Sequence, residues 1–444
     1  MKVAIIGAGP CALSAAYELS RNGIEVDLYE KSNVVGGLSK SIEIWGTSVE
    51  IGPHFLVKNE YPEVAQLLCE LSKKDDVLEF ERLTRIYWND FFLKYPPKIL
   101  DLLKNIGLFN TLKLTTSLIK QKIFNKKSDG SLESYVKEKM GAFIFNYFFK
   151  GYTEKLWGVD CKQINEDYAK GLIGVGNTSI ISLIQRFLIK SDVRASKTCV
   201  YPIEGMSFFW KKLQKSIESN KGQFFFSSPP SQFIVHNNQI TGLTLSDNLV
   251  RNYDYIISTI PESILLKLLG NTPNELMQDI NSIKYRNVIC VYLLINQTDF
   301  IKENNLYIYD KKIKCVRITN YNRFRNKKNN QILMMEYWVN SNDHLWNCTE
   351  DDIQKIVQKD ITFLPKAHKV FIKDYRIIKL ENAYQIPNME LNKTLTKIDN
   401  HLSSFSNLLR SGRANQSKFN YGMSGAISDG IKTARKIIEI KKSM

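Results

Sequence analysis

The first thirty residues constrain the fold of this chain more than any other segment. Val3, Ala4, Ile5 and Ile6 form an apolar strand that runs into Gly7-Ala8-Gly9-Pro10-Cys11-Ala12 and then into a helical pattern. Strand, glycine turn and helix in that order build a diphosphate cradle. Gly7 permits the tight reversal, Gly9 lets the backbone approach the phosphates, and Ala12, at the third small position, lets the helix pack closely on the strand. A second strand, Val26 to Tyr29, ends in Glu30, eighteen residues after Ala12. Glu30 is placed to accept a hydrogen bond from an adenosine ribose hydroxyl, and an acid there favours a ribose without a 2′-phosphate. The predicted class is α/β, opening on a Rossmann-like dinucleotide-binding unit.

The next segment selects the cofactor. Gly36-Gly37 follows Glu30 after five residues. A glycine pair there resembles the extended fingerprint of FAD-binding proteins more than the turn of an NAD-dependent dehydrogenase, so FAD is the expected cofactor.

Composition bounds the rest. The chain has 444 residues, 43% of them hydrophobic, which allows two or three units at roughly 150 residues each. The N-terminus is already a nucleotide-binding strand, without space for a leader, and no apolar run reaches the roughly 18 residues that cross a bilayer. The expected location is cytoplasmic, soluble or peripheral at the inner membrane face. Seven cysteines without a Cys-x-x-Cys pair and five histidines without ligand spacing predict no disulfide framework and no metal. The net charge of +16 is compatible with anionic lipid or phosphorylated substrates, and no nucleic-acid module is recognisable. Residues 98 to 127 hold seven lysines and one aspartate, interspersed with Leu100, Leu103, Ile106, Leu108, Leu112, Leu118 and Ile119. That segment reads either as a membrane-surface helix or as a helix packed on the core with a solvated basic face.

Along the chain, residues 1–79, 196–282 and 402–444 carry the nucleotide-binding character and form a discontinuous cofactor domain. Residues 80–195 read as mostly helical, with breaks at Pro96-Pro97, Asp129-Gly130 and Gly174 to Asn177. Residues 283–401 contain longer strands, at 284 to 296 and 331 to 338, and an acidic-start helix at 349 to 361. The fold expected is therefore a Rossmann-like FAD domain with an inserted helical and antiparallel-sheet α+β substrate domain.

Several motifs carry a resemblance over nearly the whole chain. They are Gly52-Pro53-His54, the run Phe149-Lys150-Gly151-Tyr152-Thr153-Glu154-Lys155-Leu156-Trp157-Gly158, Tyr285-Arg286, and Gly412-Arg413 followed by Asn420-Tyr421-Gly422-Met423. Together they resemble the FAD-dependent amine oxidase and protoporphyrinogen oxidase superfamily, and within it the UDP-galactopyranose mutases of surface-polysaccharide synthesis. The resemblance implies that His54, Gly412, Arg413 and Met423 belong to the flavin site, with Gly7, Gly9, Ala12, Glu30, Gly36 and Gly37. It also implies that Arg286 and, from the next strand, Arg317 hold a substrate diphosphate, and that Tyr152, Trp157 and Tyr384 wall the sugar and nucleotide, with His54 and Arg286 as catalytic candidates. The implied partners are a nucleotide sugar or another phosphorylated small molecule, and an electron donor that reduces the flavin, whose N5 then acts as nucleophile at the anomeric carbon.

The pattern departs from the mutases at Val57-Lys58, at Gly422-Met423-Ser424 and at Tyr384-Gln385, which bears on the sugar more than on the flavin. Three readings remain open: a nucleotide-sugar mutase or related sugar-modifying enzyme, an oxidase or desaturase of the protoporphyrinogen or amine oxidase type, and a partner protein that keeps FAD as a structural element.

Overall fold

The computed structural model describes residues 1–443 apart from 59, 96, 98, 125–126, 174–197, 298–299, 326–330 and 414–421. In chain order, the elements that position the candidate sites begin with β1 (Lys2–Ile6), α1 (Pro10–Ser20), β2 (Glu25–Glu30), β3 (Thr84–Trp88), β4 (Phe91–Lys94), α2 (Ile99–Phe124), α3 (Leu132–Ile144) and α4 (Lys150–Trp157). They continue with β5 (Gln223–Phe226), β6 (Tyr255–Ser258), β7 (Tyr285–Ile295), β8 (Asn305–Ile308), β9 (Arg317–Asn320), β10 (Gln331–Val339), α5 (Glu350–Thr362), β11 (Ile372–Gln385), β12 (Leu408–Arg410) and α6 (Met423–Ser443).

The chain divides into two compact units. One comprises Met1–Glu79, Cys199–Ile283 and Asn392–Met444, and the other Phe80–Thr198 and Lys284–Leu391. The helical segment and the strand-rich segment that the sequence separates thus share the second unit, and the last stretch of the first unit begins at Asn392 rather than 402.

The first unit is built on a five-stranded parallel sheet in the order β5-β2-β1-β6-β12. Its central strand is covered on both faces, with Val3, Ala4 and Ile5 fully buried, as expected of a parallel sheet flanked by helices. Helix α6 lies along α1. A Cβ on Gly430 would stand 2.1 Å from the Cys11 carbonyl oxygen, so only glycine allows this approach. The Ser14 hydroxyl donates across it to the Ile427 carbonyl at 3.0 Å.

The second unit carries a seven-stranded sheet in the order β11-β7-β10-β9-β8-β3-β4, antiparallel except for β8 beside β3. Alternation sorts its side chains between faces. Ile289, Val291, Leu293, Leu306, Ile318, Met335 and Tyr337 pack beneath α5 through Ile353, Val357 and Ile361. Toward β3 and β4, the opposite face is covered by α2 and α3, where Ile86, Trp88 and Leu93 meet Leu102, Ile106, Leu114 and Ile144.

The helical expectation for the stretch from residue 80 fails at its start. Residues 84–94 form a hairpin, with Asn89 and Asp90 at φ 45° and 65°. A two-residue turn with both φ positive suits the twist of paired strands, and Asn-Asp tolerates it. The aromatic run Tyr87-Trp88 and Phe91-Phe92 does the rest, since such side chains fit a pleated, half-buried surface. Strand β11 also went unread. It is an edge strand whose residues, Ala383 apart, are half-exposed or fully exposed, so its apolar alternation is diluted.

Candidate functional site

In the first unit, four glycines shape a cradle at the end of β1. Gly7 has φ +105°, and a Cβ there would lie 2.5 Å from Thr259 Oγ1. Its amide donates to the Tyr29 carbonyl at 2.8 Å, fixing the reversal. Gly9 is different. Its φ of −79° and ψ of 179° suit any residue, and a Cβ on it would meet no protein atom within 4 Å. Protein packing therefore does not require this glycine, and space is open beside it. Gly37 closes the opposite side, with a prospective Cβ 3.1 Å from Gly9 Cα. The Gly36 amide donates to the Ala8 carbonyl at 2.8 Å.

Helix α1 begins at this point with no side-chain cap and no acidic residue in its first turn. Ala12 is fully buried behind this helix end. Open space at a glycine beside an uncapped helix N-terminus fits a diphosphate. Glu30 is buried, and its carboxylate already accepts from the Ala8 amide at 2.8 Å and from the Ser32 amide and hydroxyl at 2.9 and 2.8 Å. A ribose hydroxyl would share this carboxylate with donors that hold the loop in place.

The C-terminal turn packs onto the same helix end. Gly412, at φ +91°, would put a Cβ 3.3 Å from Cys11 Cβ. The Gly412 amide and the Ser411 hydroxyl both donate to Asp429 Oδ2 at 2.7 Å, and the Cys11 thiol donates to Ser411 Oγ at 3.1 Å. Burial pushes that thiol up to about 12, so it packs rather than reacts. Asp429 is the residue here that the sequence did not reveal; it stands seven positions inside the predicted helix 423 to 440, with nothing in its spacing to mark it. Arg413 is exposed just after the turn and Met423 opens α6, whereas Asn420 and Tyr421 lie outside the described residues. His54 sits in a tight turn. Its amide donates to the Gly52 carbonyl at 2.9 Å, and its ring lies over Gly52, 3.3 Å from where a Cβ would be. The preceding Glu50 is fully buried and anchors this segment by accepting from Tyr201 Oη and the Met206 amide. Among the described residues, no group of His, Cys, Asp or Glu could hold a metal.

In the second unit, the motif from Gly151 to Gly158 docks α4 onto the sheet, residue by residue. A Cβ on Gly151 would be 2.3 Å from Lys311 Cε, so the glycine lets that chain pass. Tyr152 stacks on Tyr309 with centroids 3.9 Å apart. Lys155 Nζ is buried and donates to the carbonyls of Asp310, Ile313 and Cys315 at 3.1, 2.8 and 2.8 Å. Desolvation draws this amine down to about 8. Trp157 meets Trp338 edge-on at 5.4 Å and Tyr168 at 5.2 Å. The left-handed Gly158 leaves room for Arg286, whose Nη1 would be 2.4 Å from a Cβ there.

Arg286 is buried and turned onto protein groups. Nε donates to the Leu156 carbonyl at 3.0 Å, and Nη2 to the carbonyls of Lys155 and Trp338. Nη1 lies 3.7 Å from Asp343. This guanidinium caps the C-terminal end of α4, where carbonyls lack helical partners. Burial holds it down to about 10, still charged at neutral pH. Arg317 instead lies on the face of the sheet opposite α5. Its Nε and Nη2 clasp Glu336 at 2.7–3.0 Å. Burial opposes its charge, and the Glu336 carboxylate outweighs that, so the guanidinium is held above its ordinary value.

Register places Glu336, Arg317 and Tyr307 in one row across β10, β9 and β8. Trp338, two residues along β10, stacks on Tyr384 of β11 at 4.2 Å. Tyr152, Tyr307, Tyr309, Trp338 and Tyr384 are each half-buried, and they form an aromatic wall around the Arg317–Glu336 pair. Tyr307, Tyr309 and Trp338 were not anticipated. The alternation of 331 to 338 offered a signal for Trp338, and nothing in sequence marked the two tyrosines.

A cradle of this construction on a parallel sheet defines a dinucleotide-cofactor protein. Residues 13–438 match the family of flavin containing amine oxidoreductases, and the chain belongs to that family, with FAD as its cofactor. The fold is that of a reduced UDP-galactopyranose mutase crystal structure, with a TM-score of 0.81 and 19% identity over 99% of this chain and 94% of that one. Among curated relatives, a 4,4′-diaponeurosporene oxygenase of Staphylococcus haemolyticus is 33% identical over 108 residues, which is 24% of this chain and 20% of that protein. A 4,4′-diapophytoene desaturase of a Methylomonas species is 34% identical over 85 residues, 19% of this chain and 16% of that protein. The chain thus matches about a fifth or less of the length of these relatives. No helix among the described residues is long and apolar enough to cross a membrane.

Proposed function

We propose that the protein is a flavin-dependent nucleotide-sugar mutase or a closely related sugar-modifying enzyme that acts without net oxidation. The observation that carries this reading is the composition of the wall. Its five half-buried rings are tyrosines and tryptophan, which offer apolar faces to a sugar or base and polar tips to hydroxyls. FAD, when bound, supplies the redox-active ring that such isomerisations use.

The chain's own part is to bind and orient. Gly9, the open end of α1 and the Gly36-Gly37 loop hold the cofactor diphosphate. Tyr152 on Tyr309 and Tyr384 on Trp338 present two stacked pairs that exclude water and fix the plane of a ring. Arg317 is the arginine this reading assigns to a leaving diphosphate, with Glu336 holding its planar fork in one orientation. Arg286 acts behind this surface as a cap on α4. An electron donor is needed to reduce the cofactor before turnover.

The test is turnover of a nucleotide-sugar panel by chemically reduced and by oxidised protein under anaerobic conditions, with product isomers separated chromatographically. Isomer formation by the reduced form alone, without oxygen uptake, is expected. Stoichiometric oxygen consumption with formation of a double bond or an imine would overturn the proposal. It would favour the desaturase and oxygenase chemistry in the names of the curated relatives.

A further inference from the structure

Helix α2 is apolar on two sides, and among the described residues only one of them is covered. Gly107 at φ 76°, ψ 167° breaks it, leaving a second segment from 108 to 124. The inner side of that segment holds Leu114, which is buried, and half-buried Asn110, Ser117 and Leu118. Ser117 Oγ accepts from the Phe143 amide of α3 at 3.0 Å, and Gly141 keeps the approach close, since its Cβ would be 3.0 Å from the same oxygen. At about 100° per residue, Leu108, Leu112, Ile119 and Ile123 fall within about 60° of one another on the opposite side. They are 88%, 63%, 54% and 70% exposed, and the adjoining Phe109 is 69% exposed. A helix apolar all round belongs in an apolar medium, and this one has half of it.

We infer that this outer face of α2 rests in the surface of an anionic lipid bilayer. Three observations select lipid. First, no Asp or Glu occurs between Leu102 and Ser128, while Lys104, Lys113, Lys120 and Lys127 are exposed, so the charge complements anionic headgroups. Lys113 Nζ lies 4.2 Å from the Phe109 ring centroid, its stem along the apolar stripe and its charge at the rim. Second, the threonines of this segment turn their hydroxyls inward. Thr111 donates to the Gly107 carbonyl at 2.9 Å, Thr115 to Thr111 at 3.0 Å and Thr116 to Lys113 at 3.0 Å, which spares the face an unsatisfied donor in a medium without partners. Third, a second copy of this chain would bring a like charge, on a background of +16, against the same lysines. The segment is too short and too charged to span, so it lies in the interfacial plane, its apolar side chains among the acyl chains and its lysines at the headgroups.

The experiment is co-sedimentation of the full-length, flavin-loaded protein with extruded vesicles of phosphatidylcholine alone and of phosphatidylcholine mixed with phosphatidylglycerol. Melting temperature and sedimentation velocity are measured in parallel. Binding to the anionic vesicles is expected to exceed binding to the neutral ones and to weaken with salt. The Lys113→Gln/Lys120→Gln variant should lose on the order of 25-fold in partitioning, at about fivefold per lysine. The Leu112→Glu/Ile119→Glu variant should lose binding with melting temperature unchanged. Absent or equal binding to the two vesicle types overturns the inference. So does a lowered melting temperature in the Leu112→Glu/Ile119→Glu variant, which would mean the chain itself covers the stripe, or a dimer that this variant dissolves.

Discussion

Gly7 and Gly9 are two residues apart in the same turn, yet the structure gives each a different reason to be glycine, and paired alanine substitutions separate the two. In Gly7→Ala the new Cβ stands 2.5 Å from Thr259 Oγ1 at a φ of +105°. The left-handed conformation costs an alanine about 1–2 kcal/mol. Thr259 Oγ1, which donates to the Ile6 carbonyl at 2.9 Å, must move and forfeit roughly 1 kcal/mol of hydrogen bonding. Flavin-free protein should therefore lose about 2–3 kcal/mol of stability. In Gly9→Ala the dihedrals are ordinary and no protein atom lies within 4 Å of the new methyl. The fold should lose at most about 1 kcal/mol, the scale of a changed helix N-cap. The methyl instead occupies the space beside the end of α1, and displacing one charge-assisted phosphate contact of about 1.5–3 kcal/mol lowers FAD affinity by roughly tenfold to a hundredfold. Urea unfolding of flavin-stripped protein and FAD titration by flavin fluorescence read the two quantities separately. Gly9→Ala protein that binds FAD as tightly as the wild type would refute the assignment of that space to the diphosphate. Equal destabilisation of the fold by both substitutions would refute the reasoning from Cβ contacts.

Other residues carry similarly separable expectations. Arg286→Gln should lower unfolding stability by about 3 kcal/mol, because it uncaps α4 and leaves buried carbonyls without donors; an unchanged urea midpoint with a raised KM would instead make Arg286 a substrate ligand. Asp429→Ala removes the acceptor of the Gly412 amide and Ser411 hydroxyl and should cost about 1.5–3 kcal/mol together with FAD affinity, and tight FAD binding by this variant would separate the turn from the cofactor. Lys155, drawn from 10.5 to about 8 by burial, binds its proton more weakly folded than unfolded. Its contribution is thus constant below about pH 8, and stability should rise with pH above that by about 1 kcal/mol per unit until the phenols begin to titrate near pH 10. Urea midpoints of wild type and Lys155→Met between pH 7.5 and 9.5 test this, and equal slopes in the two proteins would contradict it.

What the sequence disclosed and what it hid divide along a physical line. Gly7, Gly9, Glu30 and the Gly36-Gly37 pair were legible as a strand–turn–helix cradle because such a turn is made by backbone, and its demands fall on residues close together in sequence. The motif from Gly151 to Gly158 was equally visible as a pattern, but its meaning depended on contacts far away in the chain. Lys155 needed the carbonyls of 310–315, Gly158 needed the guanidinium of Arg286, and Tyr152 needed Tyr309. An arginine read alone offers five donors to any anion. Only the fold says that Nε and Nη2 of Arg286 go to the end of α4 and to Trp338, while Arg317 pairs with Glu336. The same reasoning covers α2. Its lysines and leucines could be counted, but which leucines faced α3 and which faced outward turned on the kink at Gly107, and no hydrophobic period marks a helix that is apolar on two sides. Roles set by local backbone geometry can be read from residues in order, whereas roles set by where a long side chain ends require the tertiary structure, and Arg286, Arg317 and Lys155 belong to the second kind.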